Sequence, residues 1–81
     1  MIYLYLLTLY ERIFFLANPY RILFFGKKKF GSKRVYFLVY EDEQIVLLVG
    51  VSDKKAQQQT INHIKEYLPY YKKLIDTFST Q

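Results

Sequence analysis

The sequence predicts a small α+β domain: an antiparallel sheet of about three strands with one helix before it and one after it. Three observations lead there. Residues 34–40 and 45–51 are apolar runs on either side of the polar turn Glu41-Asp42-Glu43-Gln44, the pattern of an antiparallel hairpin. Ile61, Ile64, Leu68, Tyr71, Ile75 and Phe78 recur at alternating spacings of three and four, which is one face of an amphipathic helix. Ile2, Leu6, Leu9, Ile13 and Leu16 repeat the same helical spacing at the amino terminus.

Taken in order, residues 1–17 are expected to form a helix. Tyr3, Leu7, Tyr10 and Phe14 make its other faces apolar too, so it would be buried nearly all round. Asn18-Pro19 stops it, because a residue before proline avoids the helical region. Tyr20 to Phe25 reads as a first strand, and residues 26–32, bracketed by Gly26 and Gly31-Ser32, as a basic loop. Along Arg34 to Tyr40 the side chains alternate: Val35, Phe37 and Val39 take one side, and Arg34, Tyr36, Leu38 and Tyr40 the other. Ile45 to Val51 is apolar on both faces, as in a strand covered on both sides. Ser52-Asp53 offers a cap for a final helix over 53–78, and Pro69 should kink it near Leu68. The sheet then occupies 20–52, and the 81 residues make one domain.

The net charge of +5 is unevenly spread. Glu11 and Arg12 cancel. Arg21, Lys27, Lys28, Lys29, Lys33 and Arg34 follow with no acid among them, and the rest of the chain is close to neutral. A block of like charge points to a polyanionic partner; the plain alternative is a solvated lysine loop. The first 17 residues include fourteen apolar or aromatic ones, but Thr8 and Glu11-Arg12 interrupt them. A span needs roughly 20 mostly apolar residues, and a signal peptide wants a basic start and a small-residue cleavage site. Neither is expected here, so the sequence reads as cytoplasmic.

Most catalytic constellations are missing. The chain has no Cys, hence no disulfide, thiolate metal site or thiol nucleophile. His63 is single and cannot build a zinc site alone. Glu41, Asp42 and Glu43 read as an ordinary solubilising turn, and residues 26–31 lack the order of a phosphate-binding P-loop. No metal and no cofactor are expected. What remains is cations with aromatics: Phe30, Tyr36 and Tyr40 interleave with Lys27, Lys28, Lys29, Lys33 and Arg34. Such a surface suits single-stranded RNA, whose phosphates take the cations and whose bases stack on rings. It can also cleave RNA. The 2′-hydroxyl is the nucleophile, cations stabilise the charge of the transition state, and a lysine or tyrosine moves a proton.

Residues 28–75 resemble the carboxy-terminal part of RelE/ParE-superfamily toxins of bacterial toxin–antitoxin modules. The resemblance is carried by Phe30-Gly31-Ser32-Lys33-Arg34-Val35-Tyr36-Phe37-Leu38-Val39-Tyr40, by Gln44-Ile45-Val46-Leu47-Leu48-Val49, and by Ser52-Asp53-Lys54-Lys55-Ala56-Gln57-Gln58 before the last helix. Asn18-Pro19-Tyr20 is similar to the family's helix end before its sheet. The resemblance implies a RelE/ParE-like α+β fold and a toxin neutralised by a cognate antitoxin. It further implies either cleavage of messenger RNA on the ribosome or, in other members, poisoning of DNA gyrase. By position it gives Arg34 the scissile-phosphate contact, and Lys54 or Lys55 matches the basic residue after the following strand, with Lys54 taken as the second catalytic position. Lys27, Lys28, Lys29, Lys33 and Lys55 are then RNA-binding, with Tyr36 added as a stacking ring. The family begins with a strand and a pair of helices, so the chain is expected to be shortened or rearranged at its amino terminus. Two other readings stand beside this one: a non-catalytic module that binds nucleic acid or a partner chain, and a membrane-surface peptide led by residues 1–17.

Overall fold

The computed structural model describes residues 10–13 and 19–79. It is an α+β fold with a four-stranded antiparallel sheet and two helices. The strands are β1 Glu11–Ile13, β2 Phe24–Phe30, β3 Lys33–Tyr40 and β4 Ile45–Ser52; the helices are α1 Gln57–Glu66 and α2 Leu68–Ser79. The sheet order β1-β2-β3-β4 follows the sequence, so each strand pairs with its neighbour in the chain.

Several expectations need correcting. The sheet has four strands rather than about three, the strand expected from Tyr20 starts at Phe24, and the helix expected from residue 53 starts at Gln57, with Ala56 and neither Ser52 nor Asp53 at its cap position. The helix expected over residues 1–17 does not run through Glu11–Ile13, which is a strand paired with β2 through Glu11–Lys27, Arg12–Gly26 and Ile13–Phe25. The remainder of that expected helix lies outside the described residues. The basic loop expected at 26–32 is instead strand up to Phe30, and the chain reverses on Gly31-Ser32 alone. Gly31 takes φ of 60°, the left-handed conformation that a two-residue hairpin turn demands and that glycine adopts freely. Lysines at three successive positions conceal the strand, because no alternation of apolar and polar residues is visible.

The β3–β4 turn closes through Gln44, whose backbone N–H donates to the Glu41 carbonyl at 3.0 Å while its φ is 56°. The pairing then shifts by one: Tyr36 faces Gly50 but Phe37 faces Leu48, leaving Val49 as the extra residue of a β-bulge. One sheet face carries Phe25, Tyr36, Leu38 and Tyr40 and packs beneath Ile61, Ile64, Leu68 and Ile75 of the helices. The opposite face has its own apolar cluster, with Phe24, Phe37 and Val39 buried and Tyr10, Phe30 and Val46 packed against them. Side chains are buried on both faces of β2 and β3, but β4 departs from the expectation of a strand covered on both sides: on its far face only Val46 packs into the cluster, while Leu48 and Val51 are exposed.

Residues after the sheet form two helices that meet at Tyr67. Pro69 has no N–H to donate and fixes its own φ, so it is tolerated only in a first turn. Here it is the second residue of α2. Tyr67 ends α1 by donating to the Ile64 carbonyl at 3.1 Å, and its own carbonyl accepts from Tyr71 at 3.0 Å as α2 begins. Among the described residues, no helix is long and apolar enough to cross a membrane.

Candidate nucleic-acid interface

Register brings the β2–β3 turn and the β4–α1 connection to the same end of the sheet. Lys29 lies opposite Arg34, and Arg34 lies opposite Ser52. The three side chains form a row on the helix side, across β2, β3 and β4, with Lys54 and Lys55 in the connection just beyond. Arg34 is half-buried, while Lys29, Lys54 and Lys55 are exposed. Asp53 shapes the connection by accepting the Ala56 backbone N–H at 2.9 Å, the side-chain-to-backbone contact that short acidic residues favour before helices.

Beneath this row a buried hydrogen-bond chain fixes the strands. The Ser52 hydroxyl donates to the Asp53 carbonyl at 2.9 Å. Its single proton being used there, the contact at 2.7 Å between Tyr36 Oη and Ser52 Oγ runs with Tyr36 as donor. Tyr36 is fully buried, so stacking on a base is closed to it; it holds β4 and the connection against β3 instead.

The remaining cations fall into three groups. Lys27 is tied down: its Nζ lies 3.1 Å from Glu11 Oε2 and donates to Gln57 Oε1 at 2.9 Å, linking β1, β2 and α1. Lys28 alternates to the opposite face, where it is buried with its ammonium 5.7 Å from the centre of the Phe30 ring. Lys33 is exposed at the hairpin tip, in register with Phe30. Thus the structure brings Lys29, Arg34, Lys54 and Lys55 together, sets Lys33 beside them at the rim, and removes Lys27, Lys28 and Tyr36 from the exposed row.

Charge is polarised along the strands. At the turn end stand Lys27, Lys28, Lys29, Lys33, Arg34, Lys54 and Lys55, with Glu11 and Asp53 as the acids. Among the described residues, Lys29, Lys33, Arg34, Lys54 and Lys55 make no salt bridge; the Arg34 guanidinium only reaches the Ser32 carbonyl at 3.4 Å. The other end holds Glu41, Asp42 and Glu43. There Arg21 approaches Asp42 at 3.9 Å, and Lys72 bridges Glu43 at 3.3 Å and Asp76 at 2.9 Å. Both carboxylates hold the Lys72 ammonium charged and raise its pKa, Asp76 most strongly. Tyr40, facing this acidic end, has its hydroxyl pushed up to about 12, first by burial and then by the Glu43 charge.

His63 lies elsewhere, its ring 4.6 Å from that of Tyr67. Among the described residues, no group of three or more His, Cys, Asp or Glu side chains is placed to hold a metal ion. No protein-family model, no curated protein and no solved structure matches this chain.

The Tyr36–Ser52 contact and the Lys27 tether were not foreseen from sequence. Both depend on register. The bulge at Val49 sets the first, and the strand character of residues 24–30 sets the second.

Proposed function

We propose that this chain binds single-stranded RNA at the cationic end of its sheet, as a RelE/ParE-like toxin acting on ribosome-bound messenger RNA and held in check by a cognate antitoxin. The observation that supports it is the row Lys29–Arg34, continued by Lys54 and Lys55, in which no cation is neutralised by a carboxylate among the described residues. Arg34 is the member of the row paired on both sides, with Lys29 of β2 and Ser52 of β4, so it is the residue best held to meet a phosphate in a bidentate geometry. Lys54, on the connection after β4, is the second catalytic position, stabilising the charge that develops as the 2′-hydroxyl attacks. Lys29, Lys33 and Lys55 gather the neighbouring phosphates.

A test is growth arrest on expression. Charge reversal of Arg34 and Lys54 together should abolish arrest while circular dichroism stays unchanged. Arrest that persists in a folded double variant removes the proposed site.

A second reading, a non-catalytic RNA-binding module, draws on a specific observation. At the cationic end the tyrosine and the carboxylates that could move a proton are already engaged, which leaves only the lysines. Tyr36 donates to Ser52, Glu11 meets Lys27, and Asp53 accepts from Ala56. Incubation of purified chain with ribosomes and messenger RNA separates the two readings: defined cuts support the nuclease, and binding without cuts supports the module.

A further inference from the structure

We propose that two copies of this chain associate through β4, joining their sheets edge to edge in an antiparallel, two-fold symmetric dimer. Among the described residues β4 has a strand neighbour on one side only. Its eight residues, IVLLVGVS, contain no charge and no proline, two of the devices that keep an edge strand from pairing; the bulge at Val49 is a third such device, and it is present. Two of its large apolar side chains are exposed, Leu48 at 51% and Val51 at 63%. On the helix side of the same edge an open groove of about 320 Å³ lies between Val49–Val51 and Gln59, Thr60 and His63 of α1.

The bulge selects one register. Val49 and Gly50 both lie toward α1: Val49 packs in the helix-side core, and a Cβ on Gly50 would meet Ile64 at 3.3 Å and Thr60 at 3.4 Å. Leu48 and Val51 therefore share the far face despite being three residues apart. Setting Val49 opposite Gly50 of the second copy places Leu48 opposite Val51 and Leu47 opposite Ser52. Every pair then meets on a matching face, as antiparallel pairing requires. The two exposed apolar side chains cover one another twice, once on each side of the axis.

Charge argues for a second copy as the occupant. An antiparallel pairing lays the acidic turn Glu41–Glu43 of each copy beside Lys54 and Lys55 of the other. A parallel pairing would stack acid on acid and base on base. The polarity along the strands is thus self-complementary only in the two-fold arrangement, the isologous contact typical of homodimers. The proposal does not rest on RNA binding, although Lys54 and Lys55 enter both.

Sedimentation velocity on the full chain, over a wide concentration range, is the first test: a monomer–dimer equilibrium is expected, weakening as salt screens the end-to-end charges. Val51→Lys, at an exposed position, should raise the dimer dissociation constant about tenfold or more, because it sets an ammonium against Leu48 of the second copy in place of an apolar contact. The chain has no cysteine, so an L48C/V51C double variant gives a clean second measurement. On oxidation it should form a covalent dimer that neither single variant forms. A wild-type chain that stays monomeric at every concentration overturns the proposal. So does dimerisation unaffected by Val51→Lys, or crosslinking by a single variant as efficient as that of the double one.

Discussion

Tyr36 and Tyr40 offer a matched pair for testing the hydrogen-bond chain beneath the cationic row. They lie on the same strand and the same face, and both are fully buried. Removing the hydroxyl from each is the same chemical change. Tyr36→Phe deletes the 2.7 Å donation to Ser52 and leaves that buried oxygen without a donor. One net hydrogen bond plus the orphaned acceptor is worth about 1–2 kcal/mol of destabilisation. Tyr40 Oη is buried without a hydrogen-bond partner among the described residues. Tyr40→Phe therefore removes an uncompensated desolvation cost and should be neutral or stabilising by about 1 kcal/mol. Urea unfolding of both variants beside the wild type should separate them by about 1–3 kcal/mol, at unchanged m-value. Equal destabilisation by the two changes, or a larger loss for Tyr40→Phe, would refute the assignment of Tyr36 as the structural donor.

Further expectations follow from the same geometry. A Cβ on Gly26 would meet the Phe37 ring at 2.4–3.0 Å, and that ring is held edge-on against Phe24 and Tyr10 with centroids 6.0 Å apart. Gly26→Ala should cost about 1–3 kcal/mol in thermal or chemical unfolding, more than Gly50→Ala. Alkaline titration should separate wild type from Tyr40→Phe. Burial and Glu43 raise the folded-state value of Tyr40 from 10.0 to about 12, so its contribution is intact below pH 10 and is lost as pH climbs toward 12. Over that window the wild type should lose about 2 kcal/mol relative to the variant; parallel pH curves would contradict this.

The hairpin β3–β4 and its acidic turn are legible because two apolar runs flank four polar residues. The last amphipathic segment was legible from its three-and-four spacing, with Pro69 marking where one helix gives way to another. β2 was hidden. Lys27, Lys28 and Lys29 erase the period of two, although each goes to a different environment: a tether to β1 and α1, a buried site over Phe30, and an exposed row. β1 was hidden by the opposite problem, since Ile13 also fits a helical repeat and a three-residue strand leaves no pattern of its own. At the candidate site, the residue types were readable but not their company. Arg34 stands beside Ser52 only because one extra residue at Val49 shifts the pairing, and no propensity at Val49-Gly50 announces a bulge. Sharing a face with Arg34 suggests a stacking ring at Tyr36, but that face is the one the helices cover.

The central claim is that the exposed row at the end of the sheet is a phosphate-binding surface. The most direct measurement is the affinity for a single-stranded RNA across a salt series, for wild type, for the Arg34→Glu/Lys54→Glu variant, and for Lys73→Glu next to the Glu43–Lys72 pair at the opposite end. Engagement of Lys29, Arg34, Lys54 and Lys55 predicts a slope of log affinity on log salt of about −3. The slope should fall to about half that in the double variant and stay unchanged in Lys73→Glu. A slope near zero, or one reduced equally by Lys73→Glu, would contradict the account.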